Sequence, residues 1–123
     1  MTRIIESFTD ISGGYGAAFV DLWGCMHDGV RAHDAAVAAM RGFRAGGGKV
    51  ILVTNSPRPR ASVEDQIEGL GVPRDCWDSI ASSGDSARAA MYEGVVGEQV
   101  WFIGGDRDEA FFEPLKIVKD PVA

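Results

Sequence analysis

Two short apolar runs, each closed by polar residues, constrain this chain more than any other feature. Ala17-Ala18-Phe19-Val20 ends in Asp21, and Val50-Ile51-Leu52-Val53 ends in Thr54-Asn55-Ser56. Runs this short and this rich in β-branched or aromatic residues read as buried strands. Between them, 34–44 carries apolar residues at helical spacing, with Asp34 placed to cap the segment and Gly46-Gly47-Gly48 placed to stop it. A strand, a helix and a returning strand form the unit of a parallel sheet with right-handed crossovers. Thr54 lies 33 positions after Asp21, which is room enough for one turn, one helix and the return. In such sheets ligands bind beyond the carboxyl ends of the strands, where both polar groups fall.

The remaining chain continues the alternation. The spacing predicts strands over 17–22 and 49–54, and a helix over 61–70 that comes after Pro57 and Pro59 and closes at Gly71 and Pro73. It also predicts a short strand or turn around Ile80, a helix from Ser83 through Met91, and a strand over 99–103 ending in Gly104-Gly105-Asp106. No internal repeat or low-complexity segment interrupts this order. The expectation is one α/β domain over 1–123, with 105–123 running toward a further element.

Composition narrows the function classes. With 46% hydrophobic and 24% charged residues among 123, the chain has the make-up of a globular domain with a modest core. Its net charge of −6 argues against a nucleic-acid backbone as partner. Small anions remain compatible, because backbone amides or a cation can bind them locally. No apolar stretch approaches the roughly 20 residues of a membrane span, and no basic, then apolar, leader opens the chain, so a cytoplasmic location is expected. Cys25 and Cys76 lack a partner motif and are expected as reduced thiols.

The strand-end groups suggest phosphoryl chemistry. A strand-end aspartate can attack phosphorus once a cation offsets the repulsion between two negative charges. A neighbouring threonine, with the amides of Asn55 and Ser56 after it, can hold the phosphoryl oxygens. Other residues have plainer readings. Asp28-Gly29 reads first as a turn pair and second as a displaced acid/base. His27 is expected to be exposed and inert, and Cys25 has no evident base. Trp101, Phe102, Phe111 and Phe112 read as core or interface aromatics.

At Asp21-Leu22-Trp23-Gly24, Asp28-Gly29 and Val53-Thr54-Asn55-Ser56 the chain resembles the haloacid dehalogenase-like hydrolase superfamily, more narrowly its subclass IIA. Weaker similarity runs through Leu70-Gly71-Val72, Ser82-Ser83-Gly84-Asp85 and Val100 to Gly104. The resemblance implies a Rossmann-type three-layer α/β sandwich with a parallel sheet, here incomplete. It implies Asp21 as the nucleophile, Thr54 as the phosphate-orienting hydroxyl, and Gly24, Asn55 and Ser56 as phosphate-binding positions. It further implies Mg2+ held by the Asp21 carboxylate and the Trp23 backbone carbonyl, and a small phosphorylated molecule as substrate.

The chain departs from the family pattern in two places. The residue two positions after the nucleophile is usually an aspartate that protonates the leaving group, whereas here it is Trp23, whose ring N–H only donates. The family's later lysine and acidic residues have no match, since Lys116 and Lys119 fall too early. The chain thus reads as an N-terminal portion of a longer protein rather than a degenerate half-domain, and association with a partner or a second copy is expected if it ends at Ala123. A non-catalytic phosphate or nucleotide binder of the same fold is the alternative, and a receiver-like signalling domain ranks last because Asp21 comes at the end of the first strand.

Overall fold

The computed structural model describes residues 4–113 and 118–120. The chain packs as two compact units, one formed by 1–54 and 64–81, the other by 55–63 and 82–123. The elements run α1 (Thr9–Ser12), β1 (Ala17–Asp21), α2 (Asp34–Ala45), β2 (Lys49–Thr54), α3 (Arg60–Gly69), β3 (Ser79–Ser82), α4 (Ser83–Tyr92), β4 (Gln99–Trp101) and β5 (Val118–Asp120). Short 3-10 segments occupy Arg74–Cys76 and Asp106–Phe112.

In the first unit a parallel sheet has the order β1-β2-β3. β1 and β2 run in register from Ala17 opposite Lys49 to Asp21 opposite Val53. β2 is the central strand, and its side chains alternate as a strand must: Val50 and Leu52 are fully buried while Val53 on the other face is 40% exposed. Among the described residues β1 has a paired neighbour on one side only, and Phe19 on it is 76% exposed.

Helix α2 packs on β2 and on the Arg74–Cys76 turn through a stripe in which Val37 and Met40 are buried. The predicted cap is one residue out. His33 takes the capping position and Asp34 is the first helical residue, so that the carboxylate acts on the positive end of the helix rather than through a cap hydrogen bond. The glycine stop is as expected: Gly46 N–H donates to Gly42 O at 3.1 Å, and Gly47 continues at φ +91.

At the entry to β2 a set of charges ties three segments together. The Asp78 carboxylate accepts from Arg44 Nε and Nη2, both at 3.0 Å, and from the Val50 amide at 2.8 Å. Arg44 also donates to the Asp75 carbonyl, and Arg41 grips the Asp75 carboxylate at 2.9 Å. The contacts at Asp78 hold its carboxyl well below the ordinary range, at about 2, with the Val50 amide the largest cause and Arg44 next. Nearby, Arg74 stacks 3.7 Å over the ring centroid of buried Trp77.

The second unit departs most from expectation. The predicted strand over 99–103 is shorter and pairs in parallel with β5 in a separate two-stranded sheet, rather than extending β1-β2-β3. β5 had no sequence signal of its own. Trp101 is 78% exposed, whereas Phe112 is buried with Phe102 and Phe111 edge-on to it at 5.0 and 5.1 Å. Lys116 lies outside the described residues.

Candidate active site

The register between β1 and β2 decides where the site can be. Because Asp21, the last residue of β1, sits opposite Val53, β2 runs one residue beyond it and ends in Thr54 at the same edge of the sheet. The predicted nucleophile and the predicted phosphate-orienting hydroxyl are therefore delivered by adjacent strands. Asp21 is exposed, and its Oδ1 accepts from the Leu22 amide at 2.8 Å, which fixes the carboxylate at the strand terminus.

After Asp21 the chain turns tightly on itself. The Leu22 carbonyl accepts from the Met26 amide at 2.8 Å and the His27 amide at 3.2 Å, while Gly24 N–H donates to His27 O at 2.8 Å. Leu22 and Met26 anchor this turn in the core at 3% and 0% exposure. Gly24 adopts φ +79, a left-handed conformation that a side chain would strain. The turn leaves the Trp23 carbonyl without a hydrogen-bond donor among the described residues and sends its indole outward, 67% exposed.

His27 is buried rather than exposed, which corrects the sequence reading. Its backbone is pulled inward by the Leu22 carbonyl and its Nδ1 accepts from the Gly29 amide at 3.1 Å. An accepting Nδ1 leaves the proton of the neutral ring on Nε2. Burial lowers the pKa of His27 and His33 adds to this, against the opposing pull of Asp28 and Asp21. Asp28 makes the turn that its sequence context predicts: its Oδ1 accepts from the Val30 and Arg31 amides, each at 2.8 Å, and these bonds hold its pKa below the usual value, the Arg31 amide most of all.

The Trp23 ring stands edge-on to the His27 ring, with centroids 5.7 Å apart and planes at 86°. Its six-membered ring lies so close over Gly29 that a Cβ there would overlap Cη2 and Cζ3. Sequence reasoning singled out Trp23 as a substitution and missed its seat on Gly29 and His27. The only signal was the Asp28-Gly29 pair, which a turn explains equally well.

Asn55 and Ser56 come directly after Thr54 and belong to the second unit. There the Ser56 carbonyl accepts from Gly84 N–H at 3.0 Å and Ser56 Oγ accepts from the Arg58 amide at 3.3 Å. Gly84, in the first turn of α4, lies against the carbonyls of Pro57 and Arg58 with no room for a side chain. Asp85 accepts from the Arg60 amide at 3.1 Å, and Ser82 caps α4 by accepting from Asp85 N–H at 3.0 Å. The segment after Thr54 is thus a fixed loop rather than a loose connection.

The oxygens at the strand end suit a hard divalent cation. Mg2+ is commonly held by one or two carboxylates, with water and substrate phosphate completing its shell. The Asp21 carboxylate and the Trp23 carbonyl are the oxygens of this turn that could hold such an ion. No group of three or more His, Cys, Asp or Glu is clustered for metal binding among the described residues. Cys25 and Cys76 are both free, the first exposed and the second buried. No helix among the described residues is long and apolar enough to cross a membrane.

Comparison with known proteins agrees with this architecture. The family model described as haloacid dehalogenase-like hydrolase matches residues 18–117. The chain is also similar to a crystal structure of a hydrolase of the haloacid dehalogenase-like family from Brucella suis 1330, with 36% identity and a TM-score of 0.86. That match covers 98% of this chain and 45% of the Brucella chain, so this chain spans less than half of that relative's length. No curated protein matches the sequence. The chain belongs to the haloacid dehalogenase-like hydrolase family, and its incomplete Rossmann-like α/β fold is the fold of that family.

Proposed function

We propose that the chain carries the nucleophile half of a magnesium-dependent phosphatase acting on small phosphorylated metabolites. The observation that carries this reading is the register of β1 and β2, which sets Asp21 and Thr54 at the ends of neighbouring strands at one sheet edge. In the first step an Asp21 carboxylate oxygen attacks phosphorus, the bond to the leaving oxygen breaks, and an aspartyl-phosphate forms. In the second, water attacks that phosphorus, phosphate departs and the carboxylate is restored. Thr54, with Gly24, orients the phosphoryl oxygens. Bound at Asp21 and the Trp23 carbonyl, Mg2+ would supply charge neutralisation.

Trp23 bears on the protonation of the leaving group. An indole N–H does not release its proton near neutral pH, so the leaving oxygen must take its proton from water or depart as a good anion. This favours leaving groups that are stable when deprotonated. It also favours, as a second reading, a phosphate or nucleotide binder that keeps the pocket without turnover.

The test is magnesium-dependent phosphate release from an aryl phosphate, with Asp21→Asn as control. Release that disappears in Asp21→Asn supports the hydrolase. No release, with phosphate still raising the melting temperature, supports the binder.

A further inference from the structure

We propose that the outward face of Trp23 is a stacking platform for the substrate's leaving group, so that the preferred ligand is a phosphate ester whose alcohol part carries a planar aromatic ring. This rests on the reading of Asp21 as the phosphate-directed group. Three observations support it. Trp23 is two residues from Asp21 and its indole is 67% exposed, a large apolar surface beside a polar strand end. The ring is held in place: Gly29 lies against its six-membered ring, and the His27 ring packs nearly perpendicular to it with centroids 5.7 Å apart. His27 is itself fixed, buried and accepting from Gly29 N–H at 3.1 Å.

A large side chain on a surface turn ordinarily samples several rotamers, and ordering it on binding reduces affinity. Here the bare Cα of Gly29 backs the ring and His27 packs at right angles to it before any ligand arrives, and the free face is the one turned away from Gly29. A preorganised indole gains from a flat π-system laid against it, through offset stacking as well as buried area. The chemistry of the turn points the same way. Where the family places a proton donor, this chain has none, and an aryl or heteroaryl oxygen needs that donor least because it is stable as an anion.

The test separates the ring from the phosphate. With Mg2+ present, the protein is titrated calorimetrically with methylphosphonate, benzylphosphonate and cyclohexylmethylphosphonate. None of these can be hydrolysed, and they differ only in the organic group carried on phosphorus. Benzylphosphonate is expected to bind about five- to tenfold more tightly than methylphosphonate, with the cyclohexyl compound between them. Trp23→Phe should keep most of that ratio and Trp23→Ala should bring it to about one. Equal affinities of the wild-type protein for methyl- and benzylphosphonate would overturn the platform, as would a ratio that survives in Trp23→Ala. The wild-type comparison stands even where a variant fails to fold. If methylphosphonate binds without any preference for the ring, only the platform falls. If neither phosphonate binds, the anion site at Asp21 and Thr54 falls with it.

Discussion

Asp78 brackets Val50 from both sides: its carboxylate accepts from the Val50 amide at 2.8 Å, and its own amide donates to the Val50 carbonyl, also at 2.8 Å. Val50 is fully buried at the entry to the central strand, so the approach to β3 and the start of β2 are locked together. Removing the carboxylate strands a buried N–H and frees Arg44, and a buried donor left without a partner is more costly than the bond itself is favourable. Asp78→Ala should therefore lower the melting temperature clearly, while Asp75→Ala, which removes a pair with both side chains about half exposed or more, should barely move it. Thermal denaturation of the two variants side by side is the check.

The same carboxylate sets an acid limit. Its folded pKa of about 2 lies below the ordinary 3.8, so the folded state holds fewer protons than the unfolded state between those values. Stability rises with pH wherever the unfolded chain binds more protons, so this contribution is complete above 3.8 and is lost as pH falls through about 2. Asp78→Asn should flatten that acid limb of the melting temperature against pH. An unchanged limb in the variant would assign acid sensitivity to other carboxylates.

Gly29→Ala meets two obstacles at once, a backbone φ of +86 and the ring of Trp23 where the new methyl must go. The expected destabilisation is roughly 1–3 kcal/mol. The indole should also be displaced, which would appear as a shift of tryptophan fluorescence and a loss of any preference for ring-bearing phosphonates. Gly29→Ala with wild-type fluorescence would mean that the ring is not seated on this residue.

Gly84→Ala tests the anchoring of the loop after Thr54. A methyl at this position overlaps the carbonyls of Pro57 and Arg58, which are backbone atoms and cannot swing aside. The loop must move away from α4, lengthening the 3.0 Å bond from Gly84 N–H to Ser56 O. Thermal denaturation should show a clear loss of stability. A wild-type melting temperature would mean that α4 does not lie against this loop.

Much of this was legible because it is local. The run from Lys49 to Thr54 alternates buried and open positions, and Gly46 to Gly48 stop α2 where glycines should. Asp21 and Thr54 were readable as a pair because parallel strands joined by one helix must end on the same edge. What escaped depends on partners far apart in sequence or on side-chain direction. Asp78 lies 28 positions from Val50, and nothing around it announces the bond. His27 looked exposed because its neighbours Asp28 and Gly29 are polar and turn-like, yet the Leu22 carbonyl draws it inward. The strand predicted over 99–103 exists but is shorter, Gln99–Trp101, and pairing is not written into a strand's own residues: its partner is β5.

The side of β1 unshared among the described residues gives Asp21, the proposed nucleophile, an unusual dependence. Asp21 is the last residue of a strand whose amides and carbonyls are answered, among the described residues, by β2 alone, so its position is set from one direction. A strand laid along the other side would hydrogen-bond to the peptide units leading to Asp21 and restrict their motion directly. Assembly and reactivity would then be linked through the backbone itself: a strand added at this edge would steady the Asp21 carboxylate without touching its side chain.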